Sequence, residues 1–254
     1  DAFGTSHRAH ASNVGVTDFL QNCAPGFLMS EEFKFLHSAV IRPKRPFTIV
    51  LGGTKIGTKL PLVTRFIREA DNVFIGGGMA FTFLKIVGYE IGKSIYDDSL
   101  LQTAKQIVEM SKSLNCEFQL PSDIVVTENI SSGQDSAVRK VSEIDNNEIG
   151  VDIGPETIDQ FCETINGSST VIWNGPMGII ETEAYSGGTK AVAEALAQMT
   201  GKGGLSIIGG GDSASVVRDL NLWNEITHIS TGGGASLELL AGKELPAMKA
   251  LEMV

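Results

Sequence analysis

Residues 47–62 read FTIVLGGTKIGTKLPL, and this stretch decides the fold class. The apolar, β-branched run Phe47–Leu51 is typical of a strand that is buried on both faces, as in a parallel sheet. Two glycines follow it, and a segment with helical spacing begins near Thr54. A strand, a glycine turn and a helix in this order predict one unit of an α/β fold.

The same pattern recurs four more times along the chain. Apolar runs end in glycine turns at NVFI-GGG (72–78), TVIW-NGPMG (170–178), LSII-GGG (205–211) and THIS-TGGG (227–234). Between them, SLLQTAKQIVEMSKSL and TKAVAEALAQMT carry apolar residues at intervals of three and four, which predicts covering helices. We therefore predict a doubly wound α/β domain with a mostly parallel sheet over residues 44–240.

Composition narrows the classes of partner. The chain has 254 residues, a formal net charge of −10 and a pI near 4.9. Nucleic acid and anionic membranes require a positive field over much of the surface, so we expect neither as a partner. Three cysteines at positions 23, 116 and 162 lie far apart, which indicates reduced thiols and gives no metal-ligand spacing.

A different element precedes the domain. SEEFKFLHSAVIRP predicts a helix over residues 30–43, with Ser30 as the N-cap and Pro43 as the stop. It is either a helix that joins two parts of a chain or an ordinary packed helix of the same domain. The chain opens at Asp1 without methionine, and residues 1–29 are too short to form a domain, so we expect a fragment.

Five glycine turns at strand ends favour a polyphosphate site. In open α/β sheets, ligands bind beyond the carboxyl ends of the strands, where backbone N–H groups approach phosphate at helix N-termini. GGGDSA (209–214) also satisfies a dinucleotide fingerprint, but the next strand ends in Ser230 and Thr231 without the acid that binds ribose in nicotinamide enzymes. Asp212 is either a ligand for Mg²⁺ carried on a nucleotide or a helix N-cap.

Lys55 and Lys59 follow the first glycine turn. Gly52 and Gly57 have the spacing of a Walker A loop, but Thr58 and Lys59 stand in the reverse order. If a helix begins near Thr54, the two lysines lie one turn apart on one face, near its positive end. They are either phosphate ligands or solvated surface lysines, and the preceding strand and glycine pair favour the first interpretation.

Seven blocks resemble the phosphoglycerate kinase family in order and spacing: FGTSHRAHAS, LGGTKIGTK, GGGMAFTFLK, DIGPET, WNGPMGIIE, GGGDSAS and STGGGASLELLAGKELP. The resemblance covers the whole chain. It implies reversible transfer of the acyl phosphate of 1,3-bisphosphoglycerate to MgADP, giving MgATP and 3-phosphoglycerate in glycolysis. It also implies a Rossmann-like three-layer αβα nucleotide domain (44–240), an interdomain hinge helix (30–43), a remnant of a second Rossmann-like, phosphoglycerate-binding domain (1–29) and a C-terminal tail (241–254).

The resemblance also assigns roles to residues of this chain. Lys59, Gly211 and Gly234 are implied in catalysis, and Asp212 as the ligand of Mg²⁺. His7 and Arg8 match the end of a basic patch that binds the triose phosphate. The residues implied in binding ADP or ATP are Gly53, Thr54, Lys55, Lys59, Gly77, Gly78, Ile95, Gly150, Val151, Asn174, Pro176, Ile179, Glu181, Gly210, Gly211, Asp212 and Ser213.

Most of the family's triose-phosphate arginines are missing here, and Arg8 alone matches one. We therefore expect the chain to bind nucleotide but to turn over little, with weak or absent binding of 3-phosphoglycerate or 1,3-bisphosphoglycerate. The alternative is a stand-alone nucleotide-binding module without kinase activity. We further expect a cytoplasmic monomer, with a tail that is loose because its packing partner is missing.

Overall fold

The computed structural model describes residues 1–133 and 135–253. Its α-helices are α1 (Phe27–Ile41), α2 (Ile56–Glu69), α3 (Met79–Val87), α4 (Leu101–Ser111), α5 (Pro155–Gly167), α6 (Gly187–Gly201), α7 (Gly211–Asp219), α8 (Gly234–Leu240) and α9 (Pro246–Ala250). Its strands are β1 (Phe47–Leu51), β2 (Asn72–Ile75), β3 (Glu117–Gln119), β4 (Asp123–Thr127), β5 (Ala137–Lys140), β6 (Ile149–Ile153), β7 (Thr170–Asn174), β8 (Leu205–Gly209) and β9 (His228–Ile229).

Six strands form a parallel sheet in the order β3-β2-β1-β7-β8-β9. The five strands predicted from the sequence are β1, β2, β7, β8 and β9. Strand β1 lies in the middle, paired with β2 and β7, and every one of its residues is buried. The α/β fold with a mostly parallel sheet is therefore confirmed.

Helices cover both faces of this sheet. Successive residues of β1 point to opposite faces. Ile49 belongs to a core with Leu36, Val63 and Phe66, which lie on α1 and α2. Val50 belongs to a second core that is filled mainly by α5 and α6. The result is a three-layer αβα arrangement in which all strand carboxyl ends share one edge.

A second, three-stranded antiparallel sheet in the order β5-β4-β6 was not predicted. Its strands lack the continuous apolar runs of the main sheet, and alternate residues of β5 are exposed. Ile124 on β4 packs in a small core with Phe81 of α3 and Val141. This sheet therefore stands beside the end of β2, where it can form one wall of a site.

The prediction that Ser30 caps the first helix is wrong. Helix α1 begins three residues earlier, at Phe27, and Ser30 lies inside it, where its hydroxyl donates to the carbonyl of Gly26 at 2.8 Å. The carboxylate of Asp1 instead accepts from the free N–H groups of Leu28 (3.1 Å) and Met29 (2.8 Å). An acceptor 27 residues away leaves no local sequence signal.

The C-terminal tail is packed, although the sequence predicted that it would be loose. Leu245, Ala247 and Met248 are buried in the same core as Leu36 of α1. The N–H of Ala247 donates to the carbonyl of Ser6 at 3.0 Å. The tail thus packs on α1 and on the N-terminal segment around Ser6. Within the described residues, no helix has the length and apolarity to cross a membrane.

Candidate functional site

The glycine turns after β1, β2 and β7 are tied to one another by backbone hydrogen bonds. Gly53 N–H donates to Pro176 O at 2.7 Å, and Gly77 N–H donates to Met177 O at 3.0 Å. Gly77 has a φ of +61°, and a Cβ there would lie 2.4 Å from the nitrogen of Gly53. Because any side chain would force these turns apart, glycine is required for their close approach.

A cavity of about 460 Å³ opens beside these turns, between the main sheet and the small sheet. Apolar side chains dominate its walls, and Ile95 is 57% exposed there. The predicted nucleotide residues that line it are Gly53, Thr54, Gly77, Gly78, Ile95, Gly150, Val151, Pro176, Ile179, Glu181 and Asp212.

The two lysines lie in different environments. Lys55 is exposed at the N-cap position of α2. Lys59 is buried, with its ammonium donating to the carbonyl of Gly52. Burial lowers the pKa of Lys59 to about 8, an effect that Asp212 opposes and Lys55 reinforces. The two lysines therefore do not share one exposed face at the start of α2, because only Lys55 is exposed.

The remaining predicted residues lie where β7 meets β8. Asn174 is buried, and its side-chain NH₂ has no hydrogen-bond partner within the described part of the chain. A Cβ on Gly209 would lie 2.9 Å from that nitrogen, which places it against the turn at Gly209 and Gly210. A buried donor without an acceptor fits a ligand oxygen at this position.

Helix α7 begins at Gly211, directly after this turn. Its N-cap position is Gly210, with a φ of +97°, and Asp212 makes no capping bond, so the N-cap interpretation of Asp212 is wrong. The carboxylate of Asp212 is instead exposed on the cavity. Ser213 is buried, and its hydroxyl accepts from the N–H of Gly175 at 2.9 Å, bracing α7 against the turn after β7.

One carboxylate can serve Mg²⁺ that arrives with phosphate. The described residues contain no group of three or more His, Cys, Asp or Glu arranged to hold a metal. Mg²⁺ keeps several waters and is commonly held by one or two carboxylates together with substrate phosphates. Asp212 beside the start of α7 therefore fits a nucleotide-borne Mg²⁺ and does not fit a metal held by protein alone.

His7 and Arg8 lie at the start of another helix. A Cβ on Gly234 would lie 3.3 Å from Nε2 of His7, so the ring stands against the first residue of α8. Arg8 is exposed, and its Nε donates to Nε2 of His7 at 3.4 Å. The structure thus brings His7, Arg8 and Gly234 together.

Comparison with known proteins identifies the family. The family model described as phosphoglycerate kinase matches residues 1–243. The chain belongs to the phosphoglycerate kinase family. It is 49% identical to phosphoglycerate kinase of Chlorobium chlorochromatii over 251 residues, which are 99% of this chain and 63% of that relative. It is 45% identical to a cytosolic phosphoglycerate kinase of Triticum aestivum, with 99% and 63% covered.

Solved structures of phosphoglycerate kinases confirm the fold. The structure of the Coxiella burnetii protein superimposes with a TM-score of 0.93 at 38% identity, covering 99% of this chain and 64% of that one. The Pyrococcus horikoshii structure has a TM-score of 0.85 at 29% identity, with 100% and 63% covered. This chain therefore spans slightly less than two thirds of the length of these phosphoglycerate kinases.

A buried acid that no sequence pattern singled out lies beside the turn after β9. Glu32 of α1 is fully buried and accepts from Thr231 N–H (2.7 Å), Thr231 Oγ1 (2.9 Å) and His228 Nε2 (2.9 Å). Burial raises the pKa of Glu32, but the hydrogen bonds from His228 and Thr231 outweigh it and leave that pKa below 4.5. Glu32 thus ties α1 to the turn that leads into α8.

Cavity residues that the sequence analysis did not name lie mainly on the small sheet and on the turn after β7. The small sheet itself was not predicted, and of its strand residues only Gly150 and Val151 were named, through the family resemblance. These additional lining residues are Phe81, Lys93, Ile124, Ile130, Ile149, Asp152, Ile153, Met177, Gly178 and Ile180.

Proposed function

We propose that this chain is the nucleotide-binding part of a phosphoglycerate kinase and binds MgADP and MgATP at the cavity between its two sheets. One observation carries the proposal. The apolar slot, which is the part of the cavity lined by Ile95, Val151 and Ile179, lies at the same edge of the parallel sheet as the buried Lys59 and the starts of α2 and α7. Apolar walls suit a purine face, and lysine with helix N-termini suits phosphate.

The purine would lie against Ile95, Val151 and Ile179, because these side chains form apolar walls of the cavity. Glu181 is exposed at the same cavity and can accept hydrogen bonds from ribose hydroxyls. The free NH₂ of Asn174 would bind an oxygen of the ribose or of the first phosphate. The nucleotide would then run from the small sheet toward the starts of α2 and α7.

Phosphoryl transfer in this site would rely on positioning and charge. Transfer in line spreads negative charge over the oxygens of the moving group, and fixed donors stabilise it. Lys59 and the N–H groups at Gly211 and Gly234 would supply those donors from this chain. Mg²⁺, when bound with the nucleotide at Asp212, would neutralise phosphate charge. The phosphoryl group would pass between the acyl oxygen of the glycerate and the terminal phosphate of ADP.

The part of the site that would bind the phosphoglycerate is much less complete in this chain. Arg8 is the one arginine beside the start of α8, whereas other arginines are engaged elsewhere in the described structure. These are Arg45 with Asp71, Arg65 with Glu69, Arg139 with Glu148, and Arg218 over Trp223. We therefore propose that the chain alone binds 3-phosphoglycerate weakly and produces little ATP from 1,3-bisphosphoglycerate.

Calorimetric titration of the purified chain tests both halves of this proposal. MgADP should bind, and 3-phosphoglycerate should bind at least about tenfold more weakly, because a single arginine lacks the bidentate cluster that phosphorylated acids need. Failure of MgADP to bind would refute the nucleotide site. Rapid ATP formation from 1,3-bisphosphoglycerate by the same preparation would refute the claim of an incomplete acceptor site.

A matched pair of variants locates the phosphates. Lys59→Ala should weaken MgADP binding while leaving adenosine binding nearly unchanged, because the lysine faces the phosphate end. Lys190→Ala, which removes an ion pair with Glu183 outside the cavity lining, should leave both affinities unchanged. Equal loss of adenosine and MgADP binding in the Lys59 variant would place the phosphates elsewhere.

We also propose a cytosolic, monomeric protein. The wheat relative is named cytosolic. Light scattering of the purified chain at micromolar concentration would measure its mass, for which a value near 27.0 kDa is expected and about twice that value would refute the monomer.

A further inference from the structure

Asp152 is a buried carboxylate in the wall of the nucleotide cavity that no role described above uses. It lies on β6 between Val151 and Ile153 and is 5% exposed. Its carboxylate accepts from the N–H of Gly188 at 2.7 Å, in the first turn of α6, and from the N–H of Ile153 at 2.9 Å. It therefore satisfies a free donor of a helix that belongs to another part of the chain.

The same carboxylate packs against the turn that leads from β7 to Glu181. A Cβ on Gly178 would lie 2.4 Å from the carboxyl carbon of Asp152, so only backbone fits there. The first turn of α6 holds the turn as well, because Thr189 Oγ1 accepts from Met177 N–H at 3.0 Å. Asp152 thus supports this turn directly and also through α6.

The supported turn carries a wall of the cavity. Ile179 N–H donates to the carbonyl of Val151 at 3.0 Å, next to Asp152 on the same strand. Ile179 and Val151 face the proposed purine position. A small movement of Gly178 or of the α6 start would therefore change the spacing of the slot.

We propose that Asp152 is a positioning residue for the nucleotide base, holding the turn at Gly178 and Ile179 so that the apolar slot keeps the width of a purine. This inference rests on the proposed nucleotide-binding function. It assigns Asp152 no contact with the phosphates. Its loss should therefore affect recognition of adenosine and spare recognition of a polyphosphate.

The charge state of Asp152 gives this role a pH dependence. Burial raises the pKa of Asp152 to about 7, and the hydrogen bonds from Gly188 and Ile153 oppose that rise. Ionised, the carboxylate accepts from both N–H groups, and protonation weakens one of these bonds. Charged groups near it on the packed elements are Lys93, Glu181 and Asp212 in the cavity, the Glu183–Lys190 pair beside α6, and Asp123 on β4.

Asp123 provides a matched control. It is also a buried carboxylate of the small sheet, 4% exposed, and it accepts from Glu156 N–H (3.0 Å) and Thr157 N–H (2.8 Å) in the first turn of α5. It does not line the nucleotide cavity. A variant at Asp123 removes the same kind of helix cap without touching the turn at Gly178.

Calorimetry with adenosine, magnesium tripolyphosphate and MgADP tests the inference. At pH 8, Asp152→Asn should weaken adenosine and MgADP binding about fivefold, the effect of one lost hydrogen bond, and leave tripolyphosphate binding unchanged. Asp123→Asn should change none of the three affinities by more than about twofold, although both variants lower the unfolding temperature. In the wild-type chain, adenosine affinity should rise between pH 6 and pH 8, and this rise should disappear in Asp152→Asn.

Unchanged adenosine binding by a folded Asp152→Asn variant, or an equal loss in Asp123→Asn, would overturn the inference while leaving the proposed function intact. If Asp152→Asn does not fold, the wild-type titration decides, because adenosine affinity that is flat between pH 6 and pH 8 contradicts the role. Absence of any MgADP binding by the wild-type chain would instead refute the proposed function.

Discussion

Lys59→Met should make the folded chain more stable at neutral pH, although it removes the lysine that we propose binds phosphate. Lys59 is 7% exposed, and burial lowers the pKa of its ammonium from 10.5 to about 8. A lowered pKa means that the folded state holds the charged form less well than the unfolded chain does. Functional sites often retain such unfavourable groups because the ligand needs them.

The magnitude follows from the pKa difference. Two and a half pKa units correspond to about 3 kcal/mol of destabilisation by the charged lysine at pH 7. Methionine removes the destabilisation by the buried charge, but it also removes the hydrogen bond from Nζ to the carbonyl of Gly52, which contributes about 1 kcal/mol. The variant should therefore unfold with a free energy about 2 kcal/mol larger than that of the wild type at pH 7.

The stability difference between the variant and the wild type nearly disappears at high pH. Between pH 8 and pH 10.5 the unfolded chain binds more protons at Lys59 than the folded chain does, so this group's contribution to wild-type stability rises with pH. At pH 10 about 0.8 kcal/mol of the unfavourable contribution remains, which the lost hydrogen bond of about 1 kcal/mol offsets, so the variant and the wild type should differ by less than about 0.5 kcal/mol. Other titrating groups are the same in both proteins and cancel in the difference.

Urea denaturation followed by tryptophan fluorescence at pH 7 and pH 10 measures this difference. Lys55→Met is the control: Lys55 is exposed on the preceding helical turn, and its replacement should change stability by less than about 0.5 kcal/mol. A destabilised Lys59→Met protein at pH 7, or a difference that does not change between the two pH values, would refute the reasoning.

Three further changes test other parts of the site. Gly150→Ala should destabilise the fold by about 1–3 kcal/mol and weaken MgADP binding, because the added Cβ would lie 2.0 Å from the ring of Phe81. Gly201→Ala is the control: its Cβ would meet nothing within 4 Å, so the unfolding free energy should not fall in the same denaturation assay. Asp212→Asn should abolish the gain in ADP affinity that Mg²⁺ gives in calorimetry, and a retained gain would remove Asp212 as the metal ligand. Glu32→Gln should lower the unfolding free energy by about 1–3 kcal/mol at pH 7 through its bonds to His228 and Thr231. Since the pKa of Glu32 is lowered in the folded state, its contribution to stability is present at neutral pH and is lost on acidification. The unfolding free energy of the variant should therefore fall less in acid than that of the wild type.

The main sheet could be predicted because its signals are local. The run Phe47–Leu51 is apolar throughout, and a glycine pair follows it, so both the strand and its end are visible in consecutive residues. The five strands with this pattern all lie in the parallel sheet. Parallel strands end at one edge, so the sequence could also place their glycine turns together.

The small sheet could not be predicted, because its stability depends on contacts between distant segments. Strand β5 reads AVRK, with alternate residues exposed, and β4 ends at Thr127 whereas β5 begins at Ala137, so no tight turn joins the two strands. The family resemblance supplied Gly150 and Val151 of this sheet, but its other cavity residues, including Asp152, were missed for the same reason.

The other errors concern helix caps and the burial of one lysine. Ser30 has the local features of an N-cap, but the carboxylate of Asp1 binds the helix start three residues earlier. Asp212 has the same features at α7, yet Gly210 with its positive φ occupies the N-cap position and leaves the carboxylate exposed. Burial was likewise invisible for Lys59, whose side chain turns inward to Gly52.

A crystal structure of this chain with MgADP tests the central claim most directly. The adenine ring should lie between the small sheet and the turn after β7, in contact with Ile95, Val151 and Ile179. The phosphates should lie at the start of α7, with Asp212 about 2.1 Å from Mg²⁺. A nucleotide bound outside this cavity, or bound there in the opposite direction with its phosphates at Ile95, would contradict the account.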